Sequence, residues 1–169
     1  MKSQIISAGE YRVQHFRRIN DEMRLIDEEV LKNIVVNEGL NDLLAVYLQG
    51  GTQKATWYLG VFEGNYTPVA TDTAATIAAS ATESSAYTGG TRKTWTPAAP
   101  SGQSITNAAN RGAFVFNATK TIYGAFLVST STIGGTSGTL FSAARFSTAK
   151  NVVNTDELLL QYSFAASSA

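Results

Sequence analysis

The sequence predicts a mainly β protein: an antiparallel β-sandwich or jelly roll with an extended N-terminal arm and one short α-helix at about residues 38–49. Two observations lead to this prediction. From residue 55 onward, apolar side chains recur at every second position in several short runs. Short turn-forming segments join most of these runs, and the crossover helices that a parallel sheet needs are not indicated.

Charged side chains are distributed unevenly along the chain. Residues 1–54 carry 15 of the 26 charged side chains, and the remaining 115 residues carry 11. This contrast indicates a polar N-terminal part that leads into a sparsely charged body. The predicted division is an extended N-terminal arm, residues 1–36, and a β-sandwich body, residues 37–169, which begins with the predicted helix. The total length of 169 residues suits one domain with one core and an appendage.

The segment EYRVQHFRR, residues 10–18, alternates as a strand does. One face would hold Tyr11, Val13 and His15, and the other Arg12, Gln14 and Phe16. Neither face is wholly apolar, so the segment gains little by folding onto its own domain. We expect an arm that lies on a partner, and an edge strand of the body's sheet is the alternative.

Partner contacts in the arm are predicted at Tyr11, Arg12, Val13, Phe16, Arg17, Arg18 and Arg24. The planar guanidinium groups suit carboxylates on a docking surface. Solvated arginines are the alternative. The next segment, DEMRLIDEEVLK at residues 21–32, fits helical and strand spacing alike, so its type stays open.

One helix is indicated with complete signals. Asn37 is the predicted N-cap, and an apolar stripe follows at helical spacing, consisting of Leu40, Leu43, Leu44 and Tyr47. Gly50 and Gly51 stand where a left-handed C-terminal cap is expected. A short β-favouring run, residues 33–36, precedes the helix.

Six further runs predict strands in the body, within the ranges 56–62, 92–96, 112–117, 121–129, 138–147 and 157–165. The turn NATK, residues 117–120, predicts an antiparallel hairpin between its two flanking strands. The Gly-bearing segment STIGGTSG, residues 131–138, predicts a second hairpin.

Residues 67–104 are rich in Ala, Thr and Ser and predict a long loop with a short helical turn, without enough apolar material for a core. Trp95 stands beside Arg92 and Lys93 in TRKTWTP. It is a candidate for stacking on a carbohydrate or a partner, and packing in the core is the alternative.

No combination of residues indicates a catalytic site. His15 is the one histidine and lies in the predicted arm, and cysteine is absent. The glycine clusters lack the lysine of a phosphate-binding loop and read as turn glycines. We expect no enzyme activity, no cofactor and no metal. Equal numbers of acidic and basic side chains, 13 of each, do not favour nucleic acid, and no apolar run is long enough to cross a membrane or to serve as a signal peptide.

Four segments resemble small structural proteins encoded among the virion genes of tailed bacteriophages. These segments are KNIVVNEGLNDLL, TWYLGVFEGNYTPVATDTAA, TIYGAFLVS and LLLQYSFAAS. The likeness spans about residues 31–167 and rests on strand and turn patterns. It therefore carries over no catalytic residue.

Within that type, a small β-sandwich with an arm is similar to capsid cement or decoration proteins, which sit on the outside of the head and bridge neighbouring major-capsid subunits. The resemblance implies the major capsid protein as partner, and the chain itself as a homodimer or homotrimer at local symmetry axes. It also implies synthesis in the host cytoplasm and a final location on the outer surface of the phage head. The alternative is a tail- or fibre-associated virion protein that recognises a host surface.

Overall fold

The computed structural model describes residues 5–168, and its side chains from residue 8 to residue 167; residues 1–4 of the predicted arm and residue 169 lie outside this range. The elements in chain order are β1 (Ile5–Ile19), β2 (Glu22–Lys32), β3 (Ile34–Val35), α1 (Asn37–Leu48), β4 (Trp57–Phe62), α2 (Ala74–Ser80), β5 (Lys93–Trp95), β6 (Ser104–Thr106), β7 (Gly112–Val115), β8 (Lys120–Val128), β9 (Leu140–Val152) and β10 (Glu157–Ser168).

The strands form two antiparallel sheets. Sheet A has the order β2-β1-β10-β6, with β7 also paired to β10, and sheet B has the order β3-β9-β8-β4-β5. The main core lies between the sheets and takes alternate residues from both, including Tyr11 and Tyr162 from sheet A and Leu59 and Leu127 from sheet B. The prediction of a mainly β, sandwich-like fold is confirmed.

The prediction that residues 1–36 form an arm separate from the body was wrong for the described part. β1 lies between β2 and β10 and pairs with β10 from Ile5 to Phe16, so it is an interior strand of sheet A. Its alternation is as predicted, but the face with Tyr11, Val13 and His15 is buried in the body. The polar atoms of Tyr and His are satisfied there by partners distant in sequence, which allows a face that is not wholly apolar to enter the core.

The sequence left the secondary structure of residues 21–32 open, and this segment forms strand β2. β2 is the outer strand of sheet A and forms a hairpin with β1. The turn residues Asn20 and Asp21 both have a left-handed backbone, with φ of 51° and 64°. Two successive left-handed residues are typical of the tight turns that match the twist of a β-hairpin.

Sheet B is covered on both faces. Its outer face holds a second apolar cluster, in which Phe62 and Phe126 pack against Ala74 and Ile77 of α2. Thr73 caps α2 by accepting a hydrogen bond from the backbone of Thr76. The helical turn predicted in residues 67–104 is confirmed, but the expectation that this segment lacks core material was wrong, because small Ala side chains and one Ile suffice to cover the sheet.

The predicted helix is confirmed as α1, at Asn37–Leu48. The residue at its N-cap is Val36 rather than Asn37, and no side chain caps that end. Gly50 is left-handed with a φ of 69°, as its position after the helix predicts. Glu38, in the first turn, accepts hydrogen bonds from the backbone N–H groups of Ala74 and Leu140, which joins α1 to α2 and sheet B.

The six strands predicted in the body are confirmed as β4, β5, β7, β8, β9 and β10. The hairpin at residues 131–138 is also confirmed, since β8 pairs with β9. The hairpin at NATK was wrong: β7 belongs to sheet A and β8 to sheet B, so the chain crosses between the sheets at this turn. The turn residues were correct, but the pairing of the strands depends on the whole sandwich.

Candidate interaction surfaces

His15 belongs to a buried network at the end of the sandwich where the β1–β2 hairpin emerges. Its Nε2 lies 2.8 Å from Oδ2 of Asp156, and Arg17 donates from Nε and Nη2 to the same carboxylate at 2.7–3.1 Å. The backbone N–H of Val153 donates to it as well. Burial alone would raise the pKa of Asp156, but the donors from Arg17, Val153 and His15 hold that pKa below its ordinary value.

This network joins strands and offers no catalytic arrangement. The Asp156 side chain is 1% exposed, and both of its oxygens accept hydrogen bonds from these groups.

Among residues 5–168, no group of three or more His, Cys, Asp or Glu side chains is placed to hold a metal ion. Within the same range, neither helix is long and apolar enough to cross a membrane.

A buried lysine fixes the inner side of β2. Lys150 of β9 is 2% exposed, and its Nζ lies 2.7 Å from Oδ2 of Asp27 and 2.7 Å from Oε2 of Glu29. Burial alone would raise the pKa of Glu29, but hydrogen bonds from Lys150 and from the backbone and hydroxyl of Ser147 lower it overall. Asp27 and Glu29 of sheet A are therefore linked to sheet B through Lys150.

These inward-pointing charges also affect the free edge of sheet A. An edge strand that carries inward-pointing charges and a bulge is a poor template for pairing with another strand. β2 has both features. Asp27 and Glu29 point inward to Lys150. The register with β1 shifts between His15 and Phe16, which leaves Ile26 without an opposite residue. Pairing of another strand along the β2 edge is thus disfavoured.

We call the side of sheet A that points away from sheet B the outer face. Directly opposed residues in an antiparallel pair lie on the same side. Phe16 is opposite Leu25 on β2 and Glu157 on β10, and Glu157 is opposite Val115 on β7. The other members are Arg12, Gln14, Arg18, Met23, Glu28, Val30, Ala113, Leu159 and Gln161.

The outer face is accessible and mixes apolar with paired polar groups. All of its members are half-buried or exposed. Arg12 donates to Glu28 at 2.8 Å, and Arg111 donates to Gln14. Both helices lie on the other side of the molecule, since α1 contacts β9 and α2 covers the outer side of sheet B. Beyond Phe16 the β1–β2 hairpin runs past β10, so its tip projects from the body.

The second accessible apolar feature is a groove at the opposite end of the sandwich, next to α1. Its volume is about 500 Å³. Its apolar lining comes from α1 and from both sheets. It includes Leu43, Tyr47, Trp57, Ile105, Phe141 and Phe164. Pockets of this size and composition commonly receive apolar groups of a ligand or a partner.

The predicted contact residues are separated by the fold. Arg12, Phe16 and Arg18 lie together on the outer face, and Arg24 is exposed on the projecting hairpin. Arg17 is directed to Asp156 instead. These placements leave the first group accessible to a partner and use Arg17 for internal structure.

Three other assignments need correction. Tyr11 and Val13 are fully buried, so they do not contact a partner in this conformation. Trp95 is 9% exposed, and its Nε1 donates to the carbonyl oxygen of Tyr162 at 3.3 Å, so it is a core residue. Sequence reasoning also missed Leu48, which is 77% exposed; its position eight residues after Leu40 continues the apolar stripe of the helix.

Comparison with known proteins finds no family model that matches this chain and no curated protein that matches it.

Proposed function

We propose that this chain is a structural protein of a tailed-bacteriophage particle that binds the outer surface of the capsid and bridges major-capsid subunits. The observation that carries the proposal is the uncovered outer face of sheet A, continued by the projecting hairpin. Sheet B has its corresponding face covered by α2. A sheet face with both apolar and charged side chains accessible suits a broad protein partner better than a small substrate.

The charges of the projecting hairpin suit such a partner: Arg18 lies on the side of the outer face, and Arg24 lies on the opposite side, across from Arg17. Arg18 and Arg24 are exposed, and Arg24 has its Nη2 3.2 Å from Oε2 of Glu22, whose side chain is 72% exposed. Exposed pairs of this kind contribute little to folding and are free to exchange partners. Around them Met23 and Leu25 supply apolar contact area. Repetition on a lattice would make many such modest contacts effective.

The alternative is a tail- or fibre-associated protein that recognises a host surface. The burial of Trp95 removes the aromatic side chain that had suggested stacking on a glycan. The capsid proposal does not depend on any such side chain. We therefore place the non-enzymatic capsid function first.

The test is a reconstruction of the particle of the phage that encodes this chain. The copy number of the chain relative to the major capsid protein is measured as well. We expect hundreds of copies in regular positions on the outside of the head, with sheet A facing the shell. A few copies confined to the tail would overturn the proposal and favour the alternative.

A binding experiment then tests the face itself. Leu25→Glu places a charge on the outer face at a side chain that is 46% exposed. Ala79→Glu places the same charge on the exposed side of α2, on the opposite layer. Purified capsids without this chain should bind the Ala79→Glu variant as they bind the wild type and should bind Leu25→Glu at least about tenfold more weakly. Equal binding of both variants would exclude this face.

A further inference from the structure

The apolar stripe of α1 is largely uncovered toward the C-terminal end of the helix. Exposed fractions rise along the stripe, from 37% at Leu43 and 54% at Leu44 to 84% at Tyr47 and 77% at Leu48. An amphipathic helix of a monomeric domain normally turns such a stripe toward the core. Here Gly39 approaches the backbone of Phe141 closely and holds the first turn of the helix on sheet B, while the later turns stand clear.

The exposed side of α1 carries no charge that would repel an apolar partner. Both acidic residues of the helix already have partners, and the Asp42–Lys54 pair lies in the lining of the groove. Glu38 accepts from the backbone of Ala74 and Leu140, and Asp42 lies 2.7 Å from Nζ of Lys54. A second copy of the same neutral stripe can therefore approach without a clash of like charges, which is a requirement for a self-complementary contact.

The groove lies on one side of the same stripe. Leu43 and Tyr47 line it, whereas Leu44 and Leu48 lie farther round the helix. At 100° per residue, these four side chains form one continuous apolar arc from the groove to the outer side of the helix. The surface thus offers both a ridge, formed by Leu44 and Leu48, and a hollow of about 500 Å³ beside it.

The exposed area agrees with a modest dimer contact. The uncovered parts of Leu43, Leu44, Tyr47 and Leu48 amount to roughly 500 Å² per copy, so complete coverage in two copies would bury at most about 1,000 Å², near the lower limit for specific interfaces. The groove lining adds to this area. The expected association is therefore reversible.

We propose that a second copy of this chain covers this face. The two α1 helices lie against each other in an isologous, twofold-symmetric contact, and the Leu44–Leu48 ridge of each copy enters the groove of the other. This dimerisation is a property of the free protein and goes beyond the capsid function, on which it does not rest. It leaves the outer face of sheet A accessible, since that face is on the other layer.

The experiment is sedimentation velocity of the full chain over a range of concentrations. We expect a monomer–dimer equilibrium for the wild type. Leu48→Lys should raise the dimer dissociation constant at least about tenfold, because a charge would have to enter an apolar contact. Lys in the last turn of a helix suits the helix dipole, so folding should be retained.

Met23→Lys is the matched control, since it places the same charge at an exposed apolar residue of the hairpin and should leave the dissociation constant unchanged. Leu44→Glu is a second variant within the contact, and circular dichroism verifies the fold of each. A wild type that remains monomeric at the highest concentration reached would overturn the proposal. So would a dimer that Met23→Lys weakens as much as Leu48→Lys does.

Discussion

Arg92 and Glu83 form a buried, two-pronged ion pair on the sheet B side of the molecule. Arg92 donates from Nε to Oε1 at 2.8 Å and from Nη2 to Oε2 at 2.7 Å, and the two side chains are 0% and 2% exposed. The guanidinium also donates to the carbonyl oxygens of Thr130 and Gly135 and lies over the ring of Phe126. The pair therefore joins the segment that follows α2 to the β8–β9 turn.

Removal of one partner of this pair should be costly. Glu83→Ala leaves the Arg92 guanidinium buried without its carboxylate, and we expect a loss of about 3–5 kcal/mol in the free energy of unfolding. Urea denaturation monitored by fluorescence measures it. Glu22→Ala, which removes an exposed carboxylate paired with Arg24, should change the free energy of unfolding by less than about 1 kcal/mol. Similar losses in the two variants would contradict the burial of the pair.

Acid should destabilise the protein through Asp156. The pKa of this carboxyl is lower in the folded state than in the unfolded chain. The folded state is therefore favoured at every pH above the unfolded value of about 4, and this contribution is lost as the pH falls through the folded value.

The prediction is tested by the free energy of unfolding at several pH values between about 7 and 3. Asp156→Asn should be less stable than the wild type at neutral pH and should lose less stability on acidification. Asp21→Asn, at the exposed hairpin turn, is the control and should keep the wild-type acid dependence. An Asp156→Asn variant with the same pH slope as the wild type would refute the role of this carboxylate.

Hydrogen exchange should distinguish the core part of β1 from the hairpin tip. Amides from Tyr11 to His15 lie in a strand paired on both sides and should exchange slowly in the free protein. Amides from Ile19 to Met23 lie in the projecting tip and should exchange fast. Amide exchange followed by NMR or mass spectrometry provides the measurement. Fast exchange throughout both segments would restore the interpretation of residues 1–36 as a loose arm.

Because Gly124 has no side chain, β8 can lie close to Phe62 and Ala144. A Cβ at this position would overlap the ring of Phe62 and the carbonyl oxygen of Ala144. We expect Gly124→Ala to lower the free energy of unfolding by about 1–3 kcal/mol, because the strands must move apart. Thr136→Ala in the exposed β8–β9 turn should have little effect. Thermal denaturation of both variants decides the matter, and an unchanged melting temperature for Gly124→Ala would show that β8 can shift freely.

Local signals in the sequence were sufficient for the elements themselves. Alternation in residues 56–62 indicated β4, and the stripe from Leu40 to Tyr47 indicated α1. The alternation of Tyr11, Val13 and His15 likewise gave the two faces of β1 correctly. These patterns depend on neighbours within one element, which is why a single sequence contains them.

Placement of the elements depended on contacts far apart in the chain. β1 became an interior strand because β10, about 150 residues later, pairs with it, and the hydroxyl of Ser142 and the carboxylate of Asp156 satisfy Tyr11 and His15. The surroundings of Arg92 and the burial of Trp95 likewise depend on residues farther along the chain, namely Thr130, Gly135 and Tyr162. Neither could be read from adjacent residues.

The sequence by itself determined that this protein is mainly β, with strands that pack as a sandwich and one well-marked helix. Only the tertiary structure decided which side chains face outward. It buried Tyr11, Val13 and Trp95, assigned Arg17 to Asp156, and left Phe16 and the stripe of α1 accessible. The physical reason is that periodicity defines the two sides of an element, whereas the side that is covered depends on which distant element packs against it.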